Sequence, residues 1–198
     1  GSFYLGSGGT EYYGFTDSTS SSPYQITSEN ALNYGTTNGQ IYSSAAGAGY
    51  TIPANFPKGY AAFWCMKYEC SQQQYADFLN SLDLLRSNAN NPGIFSGTHP
   101  NLIAPNPERA MGNVGTGSLM AWMDWAAMRP MSEMEYEKAC RGANITPIPN
   151  EYAWGSTSAT GITTINNAGT STESFNAAAN VNANSGVNRM VRCGGFAT

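Results

Sequence analysis

Met128-Arg129-Pro130-Met131-Ser132-Glu133-Met134-Glu135-Tyr136-Glu137-Lys138-Ala139-Cys140-Arg141-Gly142 is the stretch whose reading decides the fold. Ser132 and Glu135 have the spacing of a capping box, in which each side chain closes a free backbone N–H at a helix start. Met131 before the cap and Tyr136 after it are placed for a hydrophobic staple. Pro130 keeps Arg129 out of helical geometry, and Gly142 supplies a left-handed stop after Arg141. Glu133, Glu135 and Glu137 read as acids at a helix start and on a solvated face. The stretch therefore predicts a short, sharply bounded helix over 132–141.

Outward from it, Tyr60 to Glu69 is aromatic and nearly uncharged, and reads as a buried strand. It runs into Ser71-Gln72-Gln73-Gln74, a second capping box, with Tyr75, Phe78, Leu79 and Leu82 at i, i+3, i+4 and i+7. Ser118 is expected to cap a third helix, with Leu119, Trp122, Met123 and Ala126 on one face. Residues 1–8 read as a strand. Between residues 11 and 57, Pro23–Thr27 and Tyr50–Ile52 read as short strands within Gly-, Ser-, Thr- and Asn-rich loop. Residues 87–117 and 156–188 read as further loop. Loops of this length belong to binding or inter-subunit surfaces more often than to compact scaffolding.

At 198 residues the chain is long enough for one domain with a core, spanning 1–198. Only 11% of residues are charged, against about 25% in an average soluble protein, while 41% are hydrophobic and 12% aromatic. The polar surface must then come from Ser, Thr, Asn, Gly and Gln, a composition associated with secreted and cell-surface proteins. A net charge of −4 and a pI near 4.9 argue against a nucleic-acid partner. No apolar run reaches the length of a membrane span. The four cysteines, Cys65, Cys70, Cys140 and Cys193, leave disulfide pairing open, and buried small hydrophobes are the plainer reading. With His99 the single histidine and no C-x-x-C, a zinc site has no ligand set.

Residues 129–142 resemble the "R-L-P-T-E-A-E-W-E-x-A-A-R-G" signature of the formylglycine-generating (sulfatase-modifying factor) family, with Cys140 at an Ala position. Gly1 to Ser7 resemble that family's opening "G-x-F-x-M-G-S" strand, and Lys67 to Phe78 its "K-x-E-V-T-x-x-Q-Y-x-x-F" join, with Cys70 and Ser71 in place of Val and Thr. Tyr152-Ala153-Trp154-Gly155 resembles its "Y-P-W-G" turn, and Val191 to Phe196 either its late "V-x-R-G-G-S-F" motif or its earlier "V-G-x-F" turn, the spacing from Trp154 favouring the earlier. The resemblance covers the first half to two-thirds of the family's domain, and its Bacteroidetes-type surface members most closely, so the domain is expected to be incomplete at its C-terminal end. It implies an α+β, C-type-lectin-like fold of the formylglycine-generating type, irregular and loop-rich, with short strands and about three helices.

The family's oxidase holds copper on two cysteines near its C-terminal end, and no position here matches that pair. The resemblance thus assigns no catalytic, cofactor or metal residue; calcium is implied only for a later segment and copper only for an oxidase. Arg129, Pro130, Ser132, Glu133, Glu135, Tyr136, Glu137, Arg141, Gly142, Trp154 and Gly155 are expected to be structural, with Arg129 and Glu137 an ion pair or capping contacts. Trp122, Trp125, Met120, Met123 and Met128, at helical spacing, are expected in the core. The function expected is a non-catalytic, secreted or cell-surface bacterial structural or binding protein, part of a larger chain or assembly and completed by self-assembly or another segment. The alternatives are the N-terminal portion of a copper-dependent oxidase acting on a sulfatase cysteine, and a carbohydrate-binding module.

Overall fold

The structure, a computed structural model, describes residues 1–6, 23–35, 41–42, 50–182 and 190–196. Its strands are β1 (Phe3–Leu5), β2 (Tyr24–Ile26), β3 (Leu32–Gly35), β4 (Ile41–Tyr42), β5 (Tyr50–Ile52), β6 (Ser96–Thr98), β7 (Asn101–Ile103), β8 (Ile165–Asn166) and β9 (Ser174–Phe175). The helices are α1 (Gln72–Ser81), α2 (Leu84–Asn90), α3 (Thr116–Trp125) and α4 (Glu133–Arg141). This is a mixed α+β chain of short elements. It divides into two compact units, one of Gly1–Cys65 with Met131–Ser158, the other of Met66–Pro130 with Ala159–Thr198.

In the first unit β1 pairs antiparallel with β2, Phe3 opposite Ile26 and Leu5 opposite Tyr24. A second sheet has β3 at its centre, parallel to β4 and antiparallel to β5. α4 lies against β1, so Met134 completes a core with Phe3, Leu5 and Ile26. Each such side chain removed from water contributes about 1.5–3 kcal/mol. The strand expected over 1–8 is thus realised at Phe3–Leu5, and residues 7 and 8 lie outside the described residues.

In the second unit α1 turns Tyr75, Phe78 and Leu79 inward against Trp122 of α3. Tyr75 also stacks on Phe95 and meets Phe78 edge to face. The side-chain amide of Asn80 substitutes for a strand partner along β7: its Nδ2 donates to Leu102 O and its Oδ1 accepts from Leu102 N, at 3.0 and 2.8 Å. That reciprocal pair anchors the β6–β7 hairpin to α1.

Four expectations of the fold are corrected. There are four helices among the described residues; α2 is the extra one, started by Asp83, whose carboxylate accepts from Arg86 N at 3.0 Å. α3 begins at Thr116 with Gly115 as its cap and no side-chain cap hydrogen bond, so Ser118 lies inside the helix, in its first turn. Of the face expected on α3, Trp122 is buried, but Leu119 is exposed, as are Met120 and Trp125.

The fourth correction concerns Tyr60–Glu69, which is neither strand nor buried. Trp64 is fully exposed, and Tyr60, Met66 and Tyr68 are exposed beside it in sequence. Carbonyls that a ladder would need are taken by a side chain: Lys138 Nζ donates to Gly59 O and Ala61 O at 2.5 and 3.2 Å. An extended, apolar sequence without a neighbouring strand has nothing to bury it.

Candidate functional site

Most of the signature residues converge on α4 in the first unit. Ser132 Oγ accepts from Glu135 N at 3.1 Å while Glu135 Oε2 accepts from Ser132 N at 2.9 Å. The Ser132 hydroxyl in turn donates to Pro57 O at 2.7 Å, so the cap also pins residues 57–59 against the helix start. Gly59 permits this approach: its φ is +81° and a Cβ there would meet Glu135 Cα at 3.2 Å. At the other end Gly142, at φ +85°, donates to Lys138 O at 2.8 Å and closes the helix as expected. Met131 and Tyr136 are both exposed, so the staple expected from their spacing buries neither.

Glu137 takes Arg141 as its ion-pair partner at 2.6 Å and also accepts from Gly6 N. Arg141 continues to Glu151 at 2.9 Å, tying the helix to the segment before Tyr152. Arg129 donates to the carbonyl of Pro130, in the other unit. The Glu137–Arg141 pair is an i, i+4 pair, the spacing at which side chains meet on one helix face.

Trp154 and Gly155 form a turn. Gly155 N donates to Tyr152 O at 2.9 Å, and Trp154 Nε1 to Ser158 O at 3.0 Å. The two rings of Tyr152 and Trp154 stack at 4.6 Å and 14°, both partly in solvent.

Two residues that the sequence did not single out organise the exposed segment. Lys58 is wholly buried, its ammonium donating to Pro53 O and Phe56 O at 2.6 and 2.9 Å. Glu29 accepts from the backbone of Lys58 and Ala61 at 2.7 and 2.8 Å. Burial pushes its pKa up, but the N–H groups of Ala61 and Lys58 and the Lys58 charge outweigh that and hold it below the usual carboxylate range. Lys138 faces the Phe63 ring at 5.4 Å, a cation–π contact that fixes the residue before Trp64. The result is an aromatic surface, Tyr60 and Trp64 foremost, presented on a bend clamped at both carboxylate and ammonium. No single residue type would have signalled it; the cluster depends on Glu29, Lys58 and Lys138 meeting.

The four cysteines are free thiols. Cys65 is exposed, which corrects the plainer reading of it as a buried hydrophobe. Burial, then the nearby Cys193, pushes the Cys70 thiol up to about 12. Burial, then Glu69, pushes Cys193 up to about 11. Among the described residues no three His, Cys, Asp or Glu side chains come together as a group that could hold a metal ion. No helix among the described residues is long and apolar enough to cross a membrane. Comparison of the chain with known proteins gives no match to a family model, a curated protein or a solved structure.

Proposed function

We propose that the chain is a non-catalytic, secreted or cell-surface structural or binding protein on a sulfatase-modifying-factor-type, C-type-lectin-like domain, and that its aromatic surface is covered by protein. The observation that carries the reading is Trp64, fully exposed on a bend that Glu29 and Lys138 hold in place. Contiguous exposed aromatics mark interaction surfaces, and tryptophan is enriched among residues that dominate binding energy. The low charge of the chain supports self-assembly, since little like-charge repulsion opposes contact between copies.

Sedimentation velocity over a wide concentration range tests it. Self-association that Trp64→Ser weakens at least tenfold supports the reading. A monomer at every concentration, with Trp64 equally accessible in its native setting, overturns self-assembly. Conversion of a peptidyl cysteine to formylglycine with copper and oxygen supplied would overturn the non-catalytic assignment in favour of the oxidase.

Carbohydrate binding is the second reading, and the flat, partly exposed Tyr152–Trp154 pair favours it. Retention on immobilised polysaccharide that Trp154→Ala abolishes would make it the primary one.

A further inference from the structure

We infer that the second unit carries a binding site for a small carboxylate, in a recess between the start of α1, the 106–113 segment and Met190. The recess holds about 230 Å³, and its lining includes Gln72, Ile94, Asn106, Arg109, Asn113 and Met190. It shares no residue with the aromatic surface of the proposed function and does not depend on that reading.

Two donors are left over on buried side chains. Gln72 and Arg109 are each only 6% exposed. Asn106 N donates to Gln72 Oε1 at 3.1 Å, which fixes the oxygen end of the amide. Gln72 Nε2 then has no acceptor among the described residues. Arg109 places Nε and Nη2 on Glu173, at 3.0 and 2.7 Å, and leaves Nη1 in the same position. Neither nitrogen is sealed in the interior; the enclosed side-chain atoms without partners among the described residues are Ser87 Oγ and Trp122 Nε1. With both residues so deeply buried, the recess they line is their access to solvent. Two N–H donors that line one recess are complementary to a two-oxygen acceptor.

Arg109 is the cation among the lining residues. Glu173 receives Arg109 and also the backbone N–H of Arg192 at 2.8 Å, while Arg192 Nε donates to Glu173 O at 2.9 Å. Arg109 is thus the guanidinium on that carboxylate, while the Arg192 guanidinium bonds the Glu173 backbone carbonyl. The start of α1 adds its partial positive charge. The first two N–H groups of the helix are already bonded to Arg109 O and Pro107 O, so the helix supplies field and no free donor. A phosphate would need more donors than the two available; a carboxylate needs two.

The rest of the wall sets the size. Met190 packs against Gly112, where a Cβ would meet Met190 Cε at 2.5 Å, so glycine keeps that side of the recess in place. Ile94 and Met190 offer apolar contact to a short substituent, and Asn113 stands exposed among the lining residues. The ligand class is a small aliphatic carboxylic acid.

Titration of the full chain with sodium acetate at constant ionic strength, followed by the side-chain amide resonances of Gln72 in two-dimensional NMR, tests the site. The expected result is a saturable shift of the Gln72 NH₂ pair, at least tenfold weaker binding in Gln72→Glu, and at least tenfold weaker binding of acetamide. Glutamate at this position keeps the oxygen that Asn106 N–H needs and suits a helix start, so the fold survives while the donor is lost. An unmoved Gln72 amide, equal binding by Gln72→Glu, or acetamide binding as tightly as acetate would each overturn the assignment. The acetate–acetamide comparison uses the unaltered protein and stands whether or not the variant folds.

Discussion

Arg109 grips Glu173 through Nε and Nη2 at 3.0 and 2.7 Å, with the Glu173 side chain wholly buried. Gly169 N and Arg192 N donate to the same carboxylate, so three chain segments meet on one group. Burial is the largest influence on Glu173 and pushes its pKa up, but the Gly169, Arg109 and Arg192 donors outweigh it and hold the group below the usual carboxylate range.

The stability that Glu173 contributes is therefore complete above the unfolded carboxylate value of about 4.3. It is lost as pH falls through the lower folded value. Glu173→Gln is expected to cost about 3–5 kcal/mol at neutral pH, the scale for stranding one partner of a buried pair. It should also flatten the acid limb of the stability curve. Urea midpoints at pH 7 and pH 3 for both proteins check this; parallel acid limbs would refute it.

Ser132 serves both the helix cap and Pro57, so Ser132→Ala should cost about 2 kcal/mol, the upper end of the range for a lost N-cap. Glu135→Gln retains an acceptor at the third helical position and should cost less. Chemical denaturation of the two variants ranks them, and a larger loss for Glu135→Gln would be contrary.

Leu79 is fully buried against Trp122, whereas Leu85 on α2 is 80% exposed. Leu79→Ala is expected to destabilise by about 2–5 kcal/mol, and Leu85→Ala by no more than about 0.5 kcal/mol. Denaturation midpoints separate the two, and a cost at Leu85 comparable to that at Leu79 would mean that α2 packs differently.

Trp64 is fully exposed and Trp122 buried, with Trp125 and Trp154 between them. Acrylamide should quench a readily accessible component of the fluorescence that Trp64→Phe removes and Trp122→Phe leaves in place. The reverse assignment would mean that the 60–65 bend is covered in the isolated chain.

Thiol chemistry should be equally graded. Cys65 is exposed, while Cys70 and Cys193 are partly buried with thiols pushed up to about 12 and about 11. At pH 8 a disulfide reagent should therefore modify Cys65 well before Cys70 or Cys193. Peptide mapping after a short exposure reads the order directly, and early loss of Cys70 would contradict it.

The sequence by itself determined the elements whose signals lie within one helical turn. Both capping boxes, Ser71 with Gln74 and Ser132 with Glu135, stand where their spacing puts them, because a cap is three residues closing their own backbone. The inward face of α1 follows from the same 3.6-residue geometry, and Gly142 ends α4 because its own φ is positive. Tertiary structure decided everything that needs a partner distant along the chain. Tyr60–Glu69 has the composition of a buried strand, yet composition cannot say whether another strand arrives beside it, and Lys138 takes its carbonyls from 77–79 residues away. Ser118 is a suitable cap in isolation, yet α3 starts two residues earlier, at Thr116. Arg109 and Glu173, 64 residues apart, carry no local pattern, and neither does the Gln72 amide that the recess leaves without an acceptor. Local hydrogen bonds are encoded where they form, while burial and charge pairing depend on which distant segments the whole chain brings together.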